Sequence, residues 1–317
     1  MNVIKKLFVL FLMLPVFAFA GQENNSPIEW LQKMKQAMKT LNYQGTVVFM
    51  ENDLLDTMKY SHTVEHGVEQ ERLVSLNSPM REVIRDIDKV TCTFKEIGKR
   101  VVDHRPVTHS FLIDLPENIS GLADYYQLSF GSHSMIAMRS SREINIKPLD
   151  NYRFARKIWI DEDNFLPLQA ELLDLSGKVL ERFVFTDIQT GVSLPWVDID
   201  KADASIKVHH IHKAQSESFD NLPFSLQMLP PGFEKVFFSS LSMHNSEQAV
   251  AHLLLSDGLS NISVYQDEVD DSVTDGTQHV GAVNSYTRVI GDKLIVVLGK
   301  VPAVTVKSIA EGIKLKK

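Results

Sequence analysis

The side chains best placed to do chemistry in this 317-residue chain gather near position 210. His209, His210 and His212 follow Asp198, Asp200 and Asp203. On an extended strand His210 and His212 project to the same side, and an aspartate oxygen could complete a zinc site. The run Ser216 to Asn221 is polar, which suits exposed histidines better, and spacing places no fourth ligand. A second acidic group, Asp161, Glu162 and Asp163, falls where a tight turn is expected, so it reads as a solvated loop. There is no G-x-S-x-G elbow, no H-E-x-x-H, no P-loop, no G-x-G-x-x-G and no pair of cysteines. No cofactor and no catalytic residue is therefore expected. The residue types favour holding a ligand over transforming one.

The elements that would position such a ligand are strands. From Tyr152 to Asp187 three apolar-rich runs are separated by two polar turns, Asp161 to Asn164 and Asp174 to Gly177, the pattern of an antiparallel meander. Leu168, Ala170 and Leu172 alternate with Gln169 and Glu171, as in a sheet with one dry face. Either a helix of the same domain or a bound lipid could cover that face. Upstream, Thr46 to Met50, Thr57 to Val64, Glu71 to Leu76, Arg81 to Arg85 and Lys89 to Phe94 are short strand-like runs broken at Asn52-Asp53, His66-Gly67 and Asp86 to Asp88. One large antiparallel sheet is the economical arrangement. His62 shares a strand face with Met58, Tyr60 and Val64 and is expected to be a hydrogen-bonded sheet residue. Cys92 alternates with Val90 and Phe94; alone in the chain, it can form no internal disulfide and behaves as a small hydrophobe.

Helix signals flank this sheet. Ser26-Pro27-Ile28-Glu29 combines a serine cap, a first-turn proline and a glutamate reaching back. Leu31, Met34, Met38 and Leu41 then recur on one face, and the methionines read as gap-filling core. A short helix is expected around Leu122, Tyr125 and Tyr126. After the linker-like stretch 214–225, residues 226–317 suggest a smaller domain. Its hairpins turn at Ser256-Asp257-Gly258 and Gly291-Asp292, and a helix opened by Pro302 carries Val306, Ile309, Ala310 and Ile313.

The N-terminus predicts export. Lys5 and Lys6 precede an apolar run from Leu7 to Phe17, and Ala18-Phe19-Ala20 supplies a small-x-small cleavage pattern, so residues 1–20 read as a cleavable signal peptide. The run is short for a bilayer span. Removing two lysines and no acid leaves 31 basic against 40 acidic residues, a formal charge of −9 in place of −7. That balance argues against nucleic acid as a partner.

Several pieces occur in an order that resembles one family. They are Leu41-Asn42-Tyr43, Arg81-Glu82-Val83-Ile84-Arg85, Tyr152-Arg153-Phe154, Trp159-Ile160-Asp161, Leu166-Pro167-Leu168, Leu173-Asp174 with Gly177, Leu180-Glu181, Leu229-Pro230-x-Gly232-Phe233, Ser256-Asp257-Gly258 and Thr287-Arg288 with Gly291. Together they look like the RseB/MucB family of negative regulators of the envelope-stress sigma factor sigma-E. The central meander alone resembles the wider class of LolA and LolB lipoprotein carriers, so a periplasmic lipoprotein carrier is the alternative.

The resemblance implies a periplasmic, mainly β (α+β) protein. Residues 21–213 would form a LolA-like lipid-binding domain, a curved antiparallel half-barrel with helices in its concavity. Residues 226–317 would be a small sheet-and-helix domain that binds an anti-sigma factor. It further implies binding to the periplasmic segment of a single-span anti-sigma factor of the RseA or MucA type, protection of that segment from the first protease of the stress cascade, and release by lipid or lipopolysaccharide. Self-association stays open. One departure is that family members carry Gly-Arg and further basic residues where this chain has Gly131-Ser132-His133-Ser134-Met135-Ile136-Ala137.

Val47, Phe49, Met58, Tyr60, Cys92, Phe94, Leu168, Ala170 and Leu172 are the set expected to face a lipid; alternation groups them without deciding which sheet face is concave, so the opposite face stays open as the alternative. Each acyl CH₂ buried there contributes about 0.8 kcal/mol. Tyr286 and Arg288, on the hairpin 282–298, are expected to meet the partner, because that hairpin would leave strand edges open to pairing.

Overall fold

The structure, a computed structural model, describes residues 26–51, 54–77, 81–86, 89–103, 110–199, 206–211, 216–242, 249–269 and 275–316. The first 25 residues, including the expected signal peptide, lie outside the described residues, as do Asp200, Asp203 and His212.

The chain begins with α1 (Pro27–Thr40), whose capping box forms as expected: Ser26 Oγ accepts from the Glu29 amide and Glu29 Oε2 accepts from the Ser26 amide, both at 3.2 Å. The larger part then lays down β1 (Tyr43–Glu51), β2 (Leu54–Glu65), β3 (Val68–Ser75), β4 (Arg81–Arg85), β5 (Val90–Phe94), β6 (Lys99–Asp103), β7 (Tyr126–Ile136), β8 (Arg139–Pro148), β9 (Ala155–Asp161), β10 (Pro167–Leu173), β11 (Val179–Thr190) and β12 (Lys207–Ile211). They make one 12-stranded sheet in the order β12-β6-β5-β4-β3-β2-β1-β11-β10-β9-β8-β7. The central meander is β9-β10-β11. All neighbours are antiparallel except β12, which runs parallel to β6, so the sheet is mixed at one edge.

This sheet curls. Flat, β7 and β11 would stand about 19 Å apart, four strand spacings of about 4.8 Å, yet their Cα atoms approach within 8 Å. α1 lies inside the curl, and its Leu31, Met34 and Met38 join Tyr43, Val47, Met58, Tyr60, Ile144, Ile146, Ile158, Phe183 and Phe185 in one core. Each large apolar side chain so buried contributes about 1.5–3 kcal/mol. The methionines fill core, and the 3-10 turn Ile119–Asp124 adds Ile119 and Leu122.

The smaller part contains β13 (Phe224–Leu226), β14 (Glu234–Ser242), β15 (Ala249–Ser256), β16 (Asn261–Glu268), β17 (Gly276–Val280), β18 (Val283–Ile290), β19 (Lys293–Gly299), α2 (Ala303–Glu311) and β20 (Ile313–Leu315). Six strands pair in the order β14-β15-β16-β19-β18-β17, and β13 pairs with β20. α2 covers one face through Val306, Ile309 and Ala310. Ile313, expected on the helix, falls on β20 because α2 ends at Glu311, yet it is buried in the same core.

Three further expectations change. Part of the stretch read as a linker belongs to the small domain: Leu222 and Phe224 are buried in its core, and Glu217 holds the outer edge of β14 through its amide to Phe238 O and its carboxylate from the Ser240 amide, both 2.7 Å. The hairpin carrying Tyr286 and Arg288 offers no free edge, since β19 lies between β16 and β18 and β17 covers β18. On β5, where Cys92 is expected inside with Val90 and Phe94, the alternate residues Thr91 and Thr93 are the more deeply buried, while Cys92 and Phe94 are half-buried. The segment leading to Ile199 lies over that outer face, tied by Gln70 to Val197 (2.9 and 3.0 Å) and by Arg100 to Ile199 O (3.3 Å).

Candidate functional site: the junction of the two domains

Of the zinc candidates weighed in the sequence, Asp200, Asp203 and His212 lie outside the described residues. His209 is exposed on β12, and among the described residues no group of three His, Cys, Asp or Glu side chains could hold a metal ion. Asp161 turns inward to pair with Arg139 and to accept from the Asp163 amide at 2.9 Å, a structural role. His62 is buried as a sheet residue, its Nδ1 donating to Leu41 O at 2.8 Å.

The chemistry concentrates where the domains meet. Three separate turns converge on Arg153, whose side chain is 0% exposed, as is that of Asp257. Arg153 Nε donates to Asp257 Oδ2 at 2.6 Å, and the other guanidinium nitrogens bond Asp150 and the Pro231 carbonyl. Its Cζ lies 4.8 Å from the Phe233 ring centroid and 5.2 Å from that of Tyr125. Tyr126 donates its hydroxyl to the same Asp257 oxygen at 2.6 Å, and its pKa is raised by burial and by that carboxylate. Burial opposes the charge on Arg153, but Asp257, with Tyr126 and Asp150, outweighs it and its pKa rises.

Two glycines permit this approach. Gly232 (φ 83°) and Gly258 (φ 90°) adopt left-handed backbone, and an added Cβ would stand 2.6 Å from the Tyr125 ring and 2.5 Å from Pro116. Around the latch, Thr305 Oγ1 donates to Tyr152 O (2.9 Å), Arg156 Nη2 to Leu259 O (2.6 Å), and Lys300 pairs with Glu181 at 2.7 Å. Ala282 packs on Phe154 and Leu172.

Beside the latch the domains leave a cavity of about 520 Å³. Its lining combines the apolar Phe49, Leu112, Ile113, Ala170, Leu172 and Phe183 with the polar Arg156, Ser260 and Lys300, Arg156 standing beside Leu172 in the β9–β10 pairing. A neighbouring cavity of about 260 Å³ shares Ser110, Ile113 and Asp114 with it, so the segment 110–114 partitions the two. Buried Glu71 fixes that partition, accepting from the Phe111 amide (2.8 Å), Ser110 Oγ, Tyr60 Oη (2.9 Å) and Arg85 Nε (3.0 Å).

Of the nine residues expected to face a lipid, Phe49, Ala170 and Leu172 line the larger cavity. Val47, Met58 and Tyr60 lie in the core under α1. Leu168 is fully buried, and Cys92 and Phe94 line neither cavity. Burial raises the Cys92 thiol pKa. Tyr286 leans on the small domain's core, and Arg288 donates to the last carbonyls of α2, Ala310 O (3.1 Å) and Glu311 O (2.8 Å).

Residues 26–207 match the family model of the MucB/RseB N-terminal domain, and residues 218–314 match that of the MucB/RseB C-terminal domain. The chain belongs to the MucB/RseB family. Its MucB/RseB relatives are regulators: over 314 residues it is 27% identical to the sigma factor AlgU regulatory protein MucB of Pseudomonas aeruginosa, covering 96% of each chain. It overlays on a crystal structure of MucB in complex with MucA(peri) with a TM-score of 0.72 at 25% identity, covering 91% of this chain and 98% of that one. On a crystal structure of MucB by itself the TM-score is 0.62 at 26% identity, covering 91% and 97%. Three of the pieces that carried the resemblance in sequence, Tyr152-Arg153-Phe154, Leu229 to Phe233 and Ser256-Asp257-Gly258, are the three turns of this latch. Their individual roles were not legible, because 104 residues separate Arg153 from Asp257.

Proposed function

We propose that this protein is a periplasmic regulator of an envelope-stress sigma factor that binds the periplasmic segment of a MucA- or RseA-like anti-sigma factor. The observation that carries the reading is the end-to-end match of both domains to MucB, together with the overlay on MucB holding MucA. Bound in this way, the segment would be shielded from the first protease of the cascade. The junction cavity supports the second half of the reading. An acyl chain against Phe49, Ala170, Leu172 and Phe183 would occupy space between the domains, so a lipid or lipopolysaccharide fragment entering there would favour a state that releases the partner.

The test is direct. Mature protein is mixed with the purified periplasmic segment of the single-span anti-sigma factor from the same organism, and complex formation and cleavage by the first protease are followed. Binding with slowed cleavage, reversed by added lipopolysaccharide, is expected. A segment cleaved equally fast with and without the protein would refute protection. Complex unaffected by any acyl ligand would refute the release step. A lipoprotein carrier would instead hand cargo to an acceptor in a transfer assay.

A further inference from the structure

The latch satisfies its charges internally, whereas the cavity beside it does not. Arg156 projects from β9 into the cavity lining. Its Nη2 is spent on Leu259 O. Its Nε is sealed from solvent without a hydrogen-bond partner, and among the described residues no carboxylate pairs with its guanidinium. The neighbouring cations are engaged: Arg182 with Glu171 at 2.6 Å and Lys300 with Glu181 at 2.7 Å. Ser260, 2% exposed, also lines the cavity, and its Oγ has no partner. A guanidinium at a half-buried site without a counter-charge costs stability unless an anion completes it.

We infer that the junction cavity is an anchor site for the bound anti-sigma segment, taking one acidic side chain of that segment onto Arg156 and Ser260 and an adjacent apolar side chain onto the wall of Phe49, Leu172 and Phe183. This rests on the partner reading above and adds the recognition chemistry. A polypeptide suits the site better than a purely apolar guest. The lining also includes Glu51 and the two ion pairs, polar groups able to meet peptide N–H and C=O groups. The chain overlays on MucB in complex with MucA(peri) with a TM-score of 0.72 and on MucB by itself with 0.62. The chain carries an excess of acid overall, so a carboxylate is admitted only where a local unpaired cation invites it. A guest acyl chain would need the same wall, which makes the two occupants exclusive.

The experiment is a double-mutant cycle by calorimetry on the whole mature protein. Its ligands are the anti-sigma segment with its natural sequence and the same segment with each Asp or Glu changed in turn to Asn or Gln. Arg156→Gln should weaken binding of the natural segment about tenfold or more, and Arg156→Lys should recover part of the loss. One neutralised segment should bind the unchanged protein as weakly as the natural segment binds Arg156→Gln, with no additional loss when both changes are combined. Thermal melting of each variant confirms the fold; should Arg156→Gln fail to fold, Arg156→Lys and the segment-side changes decide. Equal affinity of Arg156→Gln and the unchanged protein overturns the inference while the regulatory reading stands. So does a cycle in which no acid of the segment couples to position 156. Binding of an anionic amphiphile such as dodecanoate that depends on Arg156, with no such dependence for the segment, reassigns the site to a lipid head group. If the unchanged protein does not bind the segment at all, the functional reading falls together with the anchor.

Discussion

The two halves of the domain junction are built on opposite principles. On the latch side a fully buried arginine meets a fully buried aspartate, two further oxygens complete the guanidinium, aromatic faces close over it, Tyr126 donates to the same carboxylate oxygen as Arg153, and the Leu259 and Ser260 amides donate to the other. On the cavity side Arg156 of β9 and Ser260 of the turn between β15 and β16 are left with unmatched polar atoms beside apolar side chains. A buried polar network is valuable only when complete, so the first half is suited to hold the domains and the second to receive something.

That contrast can be broken most forcefully at Asp257. Asp257→Ala would strand Arg153 in the junction, and a loss of about 3–5 kcal/mol is expected, read by chemical denaturation as the small domain melting apart from the large one. A single unshifted transition would mean that the latch holds nothing. Glu71→Ala comes next, since it removes the acceptor for the Phe111 amide, Ser110, Tyr60 and Arg85 together. A loss of about 2–3 kcal/mol is expected, with faster amide exchange at Phe111 and Leu112 as the wall between the cavities loosens; protection unchanged there would show that the partition is held by other contacts.

A smaller effect should appear with acid. Burial alone would push the Glu69 carboxyl up, but its hydrogen bond from His62 and the nearby Arg85 and Lys39 charges hold its pKa below the ordinary carboxylate value. A group depressed in the folded state contributes stability above its unfolded pKa and loses it as pH falls through the folded pKa. Glu69→Gln should therefore flatten the acid limb of a pH–stability curve, by about 0.5 kcal/mol for a pair this exposed; an acid limb identical in the variant would remove Glu69 from the account. The smallest change is expected on the cavity side without ligand. Ser260→Ala deletes a hydroxyl with no partner, so stability should stay within about 0.5 kcal/mol of the unchanged protein or rise slightly. A loss as large as that of Asp257→Ala would abolish the distinction between the two halves.

Much of the large sheet was legible because strand alternation and turn chemistry are local. The meander from Ala155 to Thr190, the capping box at Ser26 and the apolar face containing Val47, Met58 and Tyr60 follow from residues a few positions apart. Alternation failed at Thr91 and Thr93, where a segment a hundred residues later covers the outer face. It also failed to place the edges of the small sheet, because β19 inserts beside β16 and puts the 283–299 hairpin in the interior. The candidate site was half legible. Phe49, Ala170 and Leu172 were identifiable as apolar alternating residues, but Arg156 of the large domain and Ser260 of the small one look like ordinary surface residues until the two domains meet.

By itself the order of residues determined the family, the two domains and the mainly β composition, since these depend on motifs and on periodicities read within one strand or helix. Tertiary structure alone decided which charges are paired, which is left over and where a hollow remains. Those outcomes arise from contacts between residues about a hundred positions apart in sequence, as Arg153 with Asp257 and Arg156 with Leu259, and no local pattern encodes the distance at which two domains come to rest.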